Sequence, residues 1–381
     1  MENRIYLDHA ATSWPKPPEL SASFAAACVN LTANSGRSGY RESVESARVI
    51  FDAREALCAI LGVADSENII FTRGCTEGLN LILRGLLKPG DRVGVSPLEH
   101  NSVMRPLRRL VQERNIIAET LPAGLDGQLD FGLCRKIVQE RRFNLICVAH
   151  ASNVNGVIQD LTALRAVFAE VPLLVDAAQT AGVLPLNIEQ EEIDFLCCSA
   201  HKGLLGPTGV GIAYLSPLYE LAPLYDGGTG SHSESYEQPL FRPDRYESGT
   251  MNIHGIAAFQ GVLSGFAERG LLGEKTLRLT QTLIEELSKL QGVRVFSPKN
   301  APALCVSFNI NGLRPEETAL RLEQDHGILC RPGLHCSPAA HHHLGTLPDG
   351  TVRLAPGWGT TDEQIETALR AVSTIAKEAK H

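Results

Sequence analysis

Lys202 is the residue whose sequence neighbours best suit it for chemistry. It follows the apolar run 195–198 and Ser199, and the loop after it contains four glycines and a proline. A lysine at the end of an apolar segment loses water, which favours its neutral, nucleophilic amine. Such an amine forms a Schiff base with an aldehyde cofactor such as pyridoxal phosphate. A solvated lysine in an ordinary turn is the alternative, so the rest of the chain must decide.

Two further segments suit the same cofactor. Residues 73–78 are expected between a strand and a helix, where free N–H groups bind a phosphate; a plain N-cap at Thr76 is the alternative. Asp176 ends the apolar run 173–175, where its carboxylate can pair with a pyridinium nitrogen or merely cap a helix. The order of phosphate loop, aspartate and lysine favours a cofactor site.

Composition excludes several classes of protein. The 381 residues carry a formal net charge of −8, with Lys and Arg dispersed, which argues against a nucleic-acid partner. No apolar run approaches the ~20 residues of a membrane span, and the N-terminus lacks the apolar core of a signal peptide. The ten cysteines have no CxxC spacing, so we expect reduced thiols in the cytoplasm.

Short apolar strands alternate with helical stretches between residues 47 and 212. Alternation of this kind predicts an α/β fold with a mainly parallel sheet between helices. A long helical region at 256–290, followed by strands near 293–296 and 304–308, predicts a small α+β unit. We therefore expect a large domain over 15–252 and a small domain formed by 1–14 and 253–381. The predicted strands of the large domain are 68–71, 92–95, 145–148, 173–175, 195–198 and 211–215.

Eight motifs along the chain carry a family resemblance. They are LDHAAT at 7–12, FTRGCTEGLN at 71–80, EHNSV at 99–103, HASN at 150–153, VDAAQ at 175–179, SAHK at 199–202, ESGT at 247–250 and RPGLHC at 331–336. The chain resembles the pyridoxal-phosphate-dependent class V aminotransferases of fold type I, the group that contains the cysteine desulfurases and selenocysteine lyases. Its segment around residue 336 resembles the type II, SufS-like enzymes. The resemblance implies a seven-stranded type of sheet in the large domain and a homodimer with shared active sites.

The resemblance also implies a role for each matching residue. Lys202 is the Schiff-base residue, Cys336 the nucleophile, and His100 stacks on the cofactor ring and assists proton transfer. Further cofactor contacts are expected from Cys75 through its backbone N–H, Thr76, Asn153, Asp176, Gln179, Ser199, His201 and, for the neighbouring subunit's cofactor, Gly249 and Thr250. Substrate contacts are expected from Ala10, Asn153, Arg331 and Arg353, the last as a bidentate clamp on a carboxylate.

Cys336 would decide the reaction type. The neighbouring His335 and Arg331 would favour its thiolate, whereas a buried, inert thiol is the alternative. The implied reaction removes sulfur from L-cysteine and gives alanine and a Cys336 persulfide, which an acceptor protein receives. Selenocysteine lyase, cysteine sulfinate desulfinase, aminotransferase and epimerase activities remain open, as does a non-enzymatic scaffold that binds a sulfur acceptor.

No metal site is expected. The three adjacent histidines 341–343 cannot all face one ion on a regular element, and no suitably spaced Cys or carboxylate supports them. We expect them to be exposed to solvent or to lie behind the site. Gly359 stands where relatives often have Asn, so the geometry near the carboxylate site is expected to differ.

Overall fold

A seven-stranded sheet forms the centre of the computed structural model, which describes residues 4–36 and 38–379. Its strand order is β2-β8-β7-β6-β5-β3-β4, with β8 antiparallel to both of its neighbours and the other pairs parallel. The strands are β2 Ile69–Thr72, β3 Arg92–Val95, β4 Ile117–Thr120, β5 Leu145–Ala149, β6 Leu173–Asp176, β7 Phe195–Ser199 and β8 Gly211–Leu215. The α/β fold and its mainly parallel sheet are confirmed.

Helices cover both faces of this sheet. Along β6, Leu173 and Val175 pack into one apolar cluster with α2, α6 and α7, whereas Leu174 packs into another with α3 and α4. Successive strand side chains point to opposite faces, so a strand buried on both faces reads as a continuous apolar run. The helices are α1 Pro18–Asn30, α2 Arg41–Leu61, α3 Cys75–Leu86, α4 Asn101–Arg114, α5 Phe131–Glu140, α6 Leu161–Val167 and α7 Ile253–Ser264.

A second, smaller assembly follows in the chain. A four-stranded antiparallel sheet has the order β12-β13-β10-β9, and β1 pairs in parallel with β11. The remaining elements of the chain are β1 Ile5–Tyr6, α8 Phe266–Arg269, α9 Gly273–Lys289, β9 Val293–Val295, β10 Val306–Ile310, α10 Pro315–His326, β11 Ile328–Leu329, β12 Arg331–Gly333, α11 Pro338–Leu344, β13 Thr351–Leu354 and α12 Asp362–Glu378. Because β1 pairs with β11, residues of the N-terminal segment pack with the C-terminal part of the chain.

The expected domain limits, 15–252 and 1–14 with 253–381, stay a prediction, and their residues 1–3, 37, 380 and 381 lie outside the described residues. The long helical region at 256–290 is divided into α7, α8 and α9, with glycines at positions 265 and 270 at the breaks. Gly270 has a φ of 69°, which a helix cannot continue through. Within the described residues, no helix combines the length and apolar character that a membrane crossing requires.

Candidate active site

A cavity of about 200 Å³ lies at the carboxyl ends of β5, β6 and β7, beside the start of α3. Ligands of open α/β sheets bind at this edge. Nine predicted site residues line it together: Cys75, Thr76, His100, Asn153, Asp176, Gln179, Ser199, His201 and Lys202. Residues from five separate sequence motifs therefore meet in one cavity.

Lys202 lies in the turn that follows β7, with one side open to the cavity. Burial lowers the pKa of its amine, although the Asp176 carboxylate partly opposes this shift. The His201 carbonyl just before it accepts bonds from Ser13 N–H at 3.0 Å and from Lys16 Nζ at 2.8 Å. The N-terminal segment thus fixes the turn and holds the amine in a setting that favours its neutral form.

The start of α3 forms the other end of the cavity. Cys75 N–H donates to Ser199 Oγ at 3.0 Å, which joins the helix to the end of β7. A Cβ on Gly211 of β8 would lie 2.3 Å from Gly74 Cα, so only glycine permits this approach. Helix N–H groups and the hydroxyls of Thr76 and Ser199 make the donor set that a phosphate requires.

Asp176 is buried at the end of β6, and its Oδ1 accepts from Ala178 N–H at 2.9 Å. Cys75 Sγ lies 3.4 Å from the same oxygen. Burial and the Asp176 carboxylate hold the pKa of this thiol well above its ordinary value, so it remains protonated and donates. Only the backbone of Cys75 was expected to take part, so this side-chain contact was missed by sequence reasoning.

His100 caps α4, and its ring borders the cavity. Its Nδ1 accepts from Ser102 N–H at 3.0 Å, which assigns the proton of the neutral ring to Nε2. Burial lowers the pKa of His100. The preceding Glu99 is fully buried, accepts from Ala149 N–H at 2.8 Å, and has its pKa raised to about 8 by burial. His100 therefore offers a hydrogen-bond donor without a charge.

Cys336 is exposed, and Arg331 Nη2 lies 3.3 Å from its sulfur. In the described part of the chain the only other exposed cysteine is Cys28, on α1. The expectation that His335 favours the thiolate is wrong. Its ring is buried, which lowers its pKa to about 2, and its Nε2 bonds Thr351 Oγ1 at 3.1 Å. Positive charge beside the sulfur comes from Arg331.

Arg353 lies on β13 with its side chain fully buried. Its Nη2 forms an ion pair with Asp8, and its Nη1 donates to Asn153 O at 2.6 Å. Among the described residues its Nε has no partner. The bidentate clamp expected for a substrate carboxylate is therefore partly occupied by groups of the protein.

Asn153 and Gln179 border the cavity and also contact other segments. Asn153 Nδ2 donates to His335 O at 2.7 Å, and Gln179 Nε2 donates to Ala10 O at 3.0 Å. Ala10 itself lines a smaller cavity of about 40 Å³ on another side of Lys202. Of the expected substrate residues, Asn153 and Ala10 therefore line the two cavities that border Lys202, and each shares a hydrogen bond with another segment.

Gly249 and Thr250 are the two predicted cofactor-binding residues that do not line the cavity of Lys202. They line two other cavities of the described chain, together with Arg54 and Arg73 respectively. Their role toward a neighbouring subunit stays a prediction. His341 is buried, with its ring 5.5 Å from that of His335, whereas the adjacent His342 is exposed. No group of three or more His, Cys, Asp or Glu suited to a metal ion occurs among the described residues.

Comparison with known proteins agrees with this geometry. A sequence model of the family described as aminotransferase class-V matches residues 5–367. The chain belongs to the class V aminotransferase family. Members of this family are pyridoxal phosphate enzymes, and the resemblance found from the motifs is confirmed.

Several relatives of this chain are named cysteine desulfurases. It is 30% identical to cysteine desulfurase CsdA of Escherichia coli, over 97% of this chain and 93% of that protein. A protein of Methanothermobacter thermautotrophicus named "Probable cysteine desulfurase" is 30% identical, over 99% of this chain and 96% of the relative. The apo structure of a cysteine desulfurase from Thermococcus onnurineus NA1 has a TM-score of 0.91 and 30% identity, and covers 98% of this chain and 95% of its own.

Proposed function

We propose that this protein is a cysteine desulfurase that uses pyridoxal phosphate to remove sulfur from L-cysteine, with Cys336 as the sulfur acceptor. The observation that carries the proposal is the position of Cys336. Its sulfur is exposed beside Arg331, and the residues on either side of it are bonded to Asn153 of the lysine cavity. An aminotransferase needs no such thiol.

The cavity residues fit pyridoxal phosphate. Lys202 would bond its aldehyde carbon, Asp176 would pair with its ring nitrogen, and the start of α3 with Ser199 would hold its phosphate. When bound, the cofactor supplies an electron sink that acidifies the α-carbon of an amino acid. The cavity therefore offers one partner each for the aldehyde, the ring nitrogen and the phosphate of pyridoxal phosphate.

The protein's own groups supply the remaining chemistry. The Lys202 amine, whose pKa is lowered by burial, removes the α-proton. The Cys336 thiolate attacks the substrate sulfur, so that an S–S bond forms while the substrate's C–S bond breaks. The electron pair of that bond remains with the carbon skeleton, which is reprotonated to alanine, and Cys336 carries the persulfide. No outside oxidant is required.

Three features support the partners that we infer. Gly249 and Thr250 lie outside their own chain's cavity, as they would if they served the site of a second subunit. Phe24 on α1 and Phe51 on α2 expose 46% and 50% of their surface, which suits burial in a homodimer. The exposed Cys336 suits transfer of the persulfide to an acceptor protein. As to location, the ten free thiols suit the reducing cytoplasm.

Product analysis with L-cysteine, pyridoxal phosphate and a thiol reductant tests the proposal. We expect equal amounts of alanine and sulfide from the wild type, none from Lys202→Ala, and at least a hundredfold loss for Cys336→Ser. Cys28→Ser, which removes the other exposed thiol, is expected to behave as the wild type. Full activity of Cys336→Ser, or conversion of a keto acid to an amino acid in place of sulfide release, would contradict the proposal.

A further inference from the structure

The turn at residues 334–337 holds two consecutive residues with side chains in a left-handed backbone conformation. The φ of His335 is 49° and that of Cys336 is 60°, while Ser337 N–H donates to Leu334 O at 2.8 Å. Positive φ at both central residues is the pattern of a type I′ turn, where Asn and Gly predominate because a Cβ is otherwise crowded. A His-Cys turn of this kind persists only where surrounding contacts determine it.

Asn153 contacts this turn on both sides of Cys336. Its Nδ2 donates to His335 O at 2.7 Å, and its Oδ1 accepts from Ser337 Oγ at 2.8 Å. The Cys336 carbonyl accepts from Asn101 N–H at 2.9 Å. Since Asn153 lines the lysine cavity, these bonds attach the turn to the cavity wall.

The His335 ring provides a separate attachment, through a buried chain of hydrogen bonds. Its Nε2 lies 3.1 Å from Thr351 Oγ1, which donates to Ser307 Oγ at 3.0 Å, which donates to Val154 O at 2.6 Å. Because the last acceptor is a carbonyl and each hydroxyl has one proton, the ring must be the first donor. The neutral state that burial imposes on His335 is compatible with this order, with the proton on Nε2.

We propose that Asn153, and His335 through Thr351, are positioning residues that hold Cys336 in its left-handed conformation and keep its sulfur beside Arg331. The proposal deepens, and rests on, the proposed persulfide chemistry of Cys336. Without these bonds the turn relaxes to a less crowded conformation, the sulfur leaves Arg331, and the thiolate loses its cation. Chemistry that uses Lys202 alone is unaffected.

Thr351→Val tests the proposal in the cofactor-loaded protein. Valine keeps the shape of the buried threonine and removes only the hydroxyl that links the His335 ring to Ser307, while Ser307 keeps its bond to Val154 O. We expect alkylation of Cys336 by iodoacetamide at pH 7 to slow about fivefold relative to Cys28 in the same sample. The kcat for alanine formation from L-cysteine falls about tenfold, while KM stays within twofold. Thr351→Ser, which retains the hydroxyl, restores both rates.

The exchange of the α-proton of L-alanine with deuterated water reports on Lys202 without Cys336. We expect Thr351→Val to leave this exchange within twofold. The proposal would be overturned if Thr351→Val left the alkylation rate of Cys336 and the kcat unchanged. It would also be overturned if the rate of alanine exchange fell as much as kcat, because an equal loss indicates a general defect of the site. If Thr351→Val does not fold, Ser337→Ala removes a donor to Asn153 instead. This variant is then expected to slow alkylation of Cys336 and lower kcat while it leaves alanine exchange within twofold. A wild type that forms no persulfide refutes the proposed function, while the alkylation comparison still decides the positioning.

Discussion

Arg331 and Arg353 lie directly opposite each other on the antiparallel strands β12 and β13. Directly paired residues leave a sheet on the same face, so both guanidinium groups belong to one side of the small sheet. Arg353 is buried and paired with Asp8, whereas Arg331 is partly exposed and contacts the Cys336 sulfur. One arginine of the pair thus lies against a carboxylate, and the other lies against the Cys336 sulfur.

Asp8→Asn is expected to lower the KM for L-cysteine. The Asp8 carboxylate is paired with Arg353, where we propose that the substrate carboxylate binds, so the two carboxylates would compete; asparagine removes the charge while keeping a hydrogen-bond acceptor. We expect KM to fall about threefold or more, with kcat little changed. Steady-state kinetics measures this effect. Cysteamine, which has no carboxylate, serves as the control ligand, and its affinity stays constant. A higher KM for cysteine would show that Asp8 assists substrate binding.

Arg331→Gln is expected to make Cys336 less reactive. Glutamine retains hydrogen-bond donors but removes the cation that lies 3.3 Å from the sulfur. Alkylation of Cys336 at pH 7 should slow about fivefold or more, because the attacking sulfur loses the guanidinium that lies beside it. Peptide mass spectrometry of timed samples measures the rate, with Cys28 as the internal reference and Arg331→Lys as the charge-conserving variant. An unchanged rate in Arg331→Gln would assign thiolate stabilisation to other groups.

Gly211→Ala is expected to weaken cofactor binding. The new methyl would meet the backbone of Gly74, which cannot move without displacing the start of α3. Displaced N–H groups no longer converge on the phosphate, so we expect at least a tenfold higher Kd for pyridoxal phosphate. Fluorescence or absorbance titration of the apo protein measures it. Gly39→Ala, where the methyl meets nothing within 4 Å, is the matched control. Equal affinities for the two variants would exclude phosphate binding at α3.

The residues of the lysine cavity could be predicted from the sequence, whereas the conformation of the turn at residues 334–337 could not. Buried strands such as β5 and β6 were predicted because a parallel strand covered on both faces is apolar throughout. The edge strand β4 was missed because Ile117–Thr120 is largely exposed and has no apolar run. The Cys336 environment depends on contacts with Asn153 and Thr351, more than 10 residues away in sequence, and no local pattern reports the pKa of His335.

Folding stability is expected to fall as the pH drops from 7 to 5. Burial lowers the pKa of His150 to about 4, so between pH 6.5 and 4 the unfolded chain binds a proton that the folded chain does not. The contribution of this residue is present above pH 6.5 and is lost as the pH falls. His9, His201, His335 and His341 act in the same direction. Glu99, whose pKa is raised to about 8, opposes them, because it favours the folded state at lower pH.

His150→Gln isolates one part of this pH dependence. We expect the difference in unfolding free energy between pH 7 and pH 5 to shrink by about 2 kcal/mol. Urea denaturation at the two pH values measures the difference, and His342→Gln, at an exposed position, leaves it unchanged. A His150→Gln variant with the same pH dependence as the wild type would show that His150 is not buried in its neutral form.

Mapping of the sulfur atom after one reaction cycle shows directly whether Cys336 receives the sulfur of L-cysteine. The cofactor-loaded protein is incubated with L-cysteine without reductant, blocked with iodoacetamide, digested, and analysed by mass spectrometry. We expect one additional sulfur on the peptide that contains Cys336, none on the peptide of Cys28, and one alanine released per persulfide formed. Alanine release with no additional sulfur on Cys336, or with the sulfur on another cysteine, would contradict the assignment of Cys336 as the sulfur acceptor.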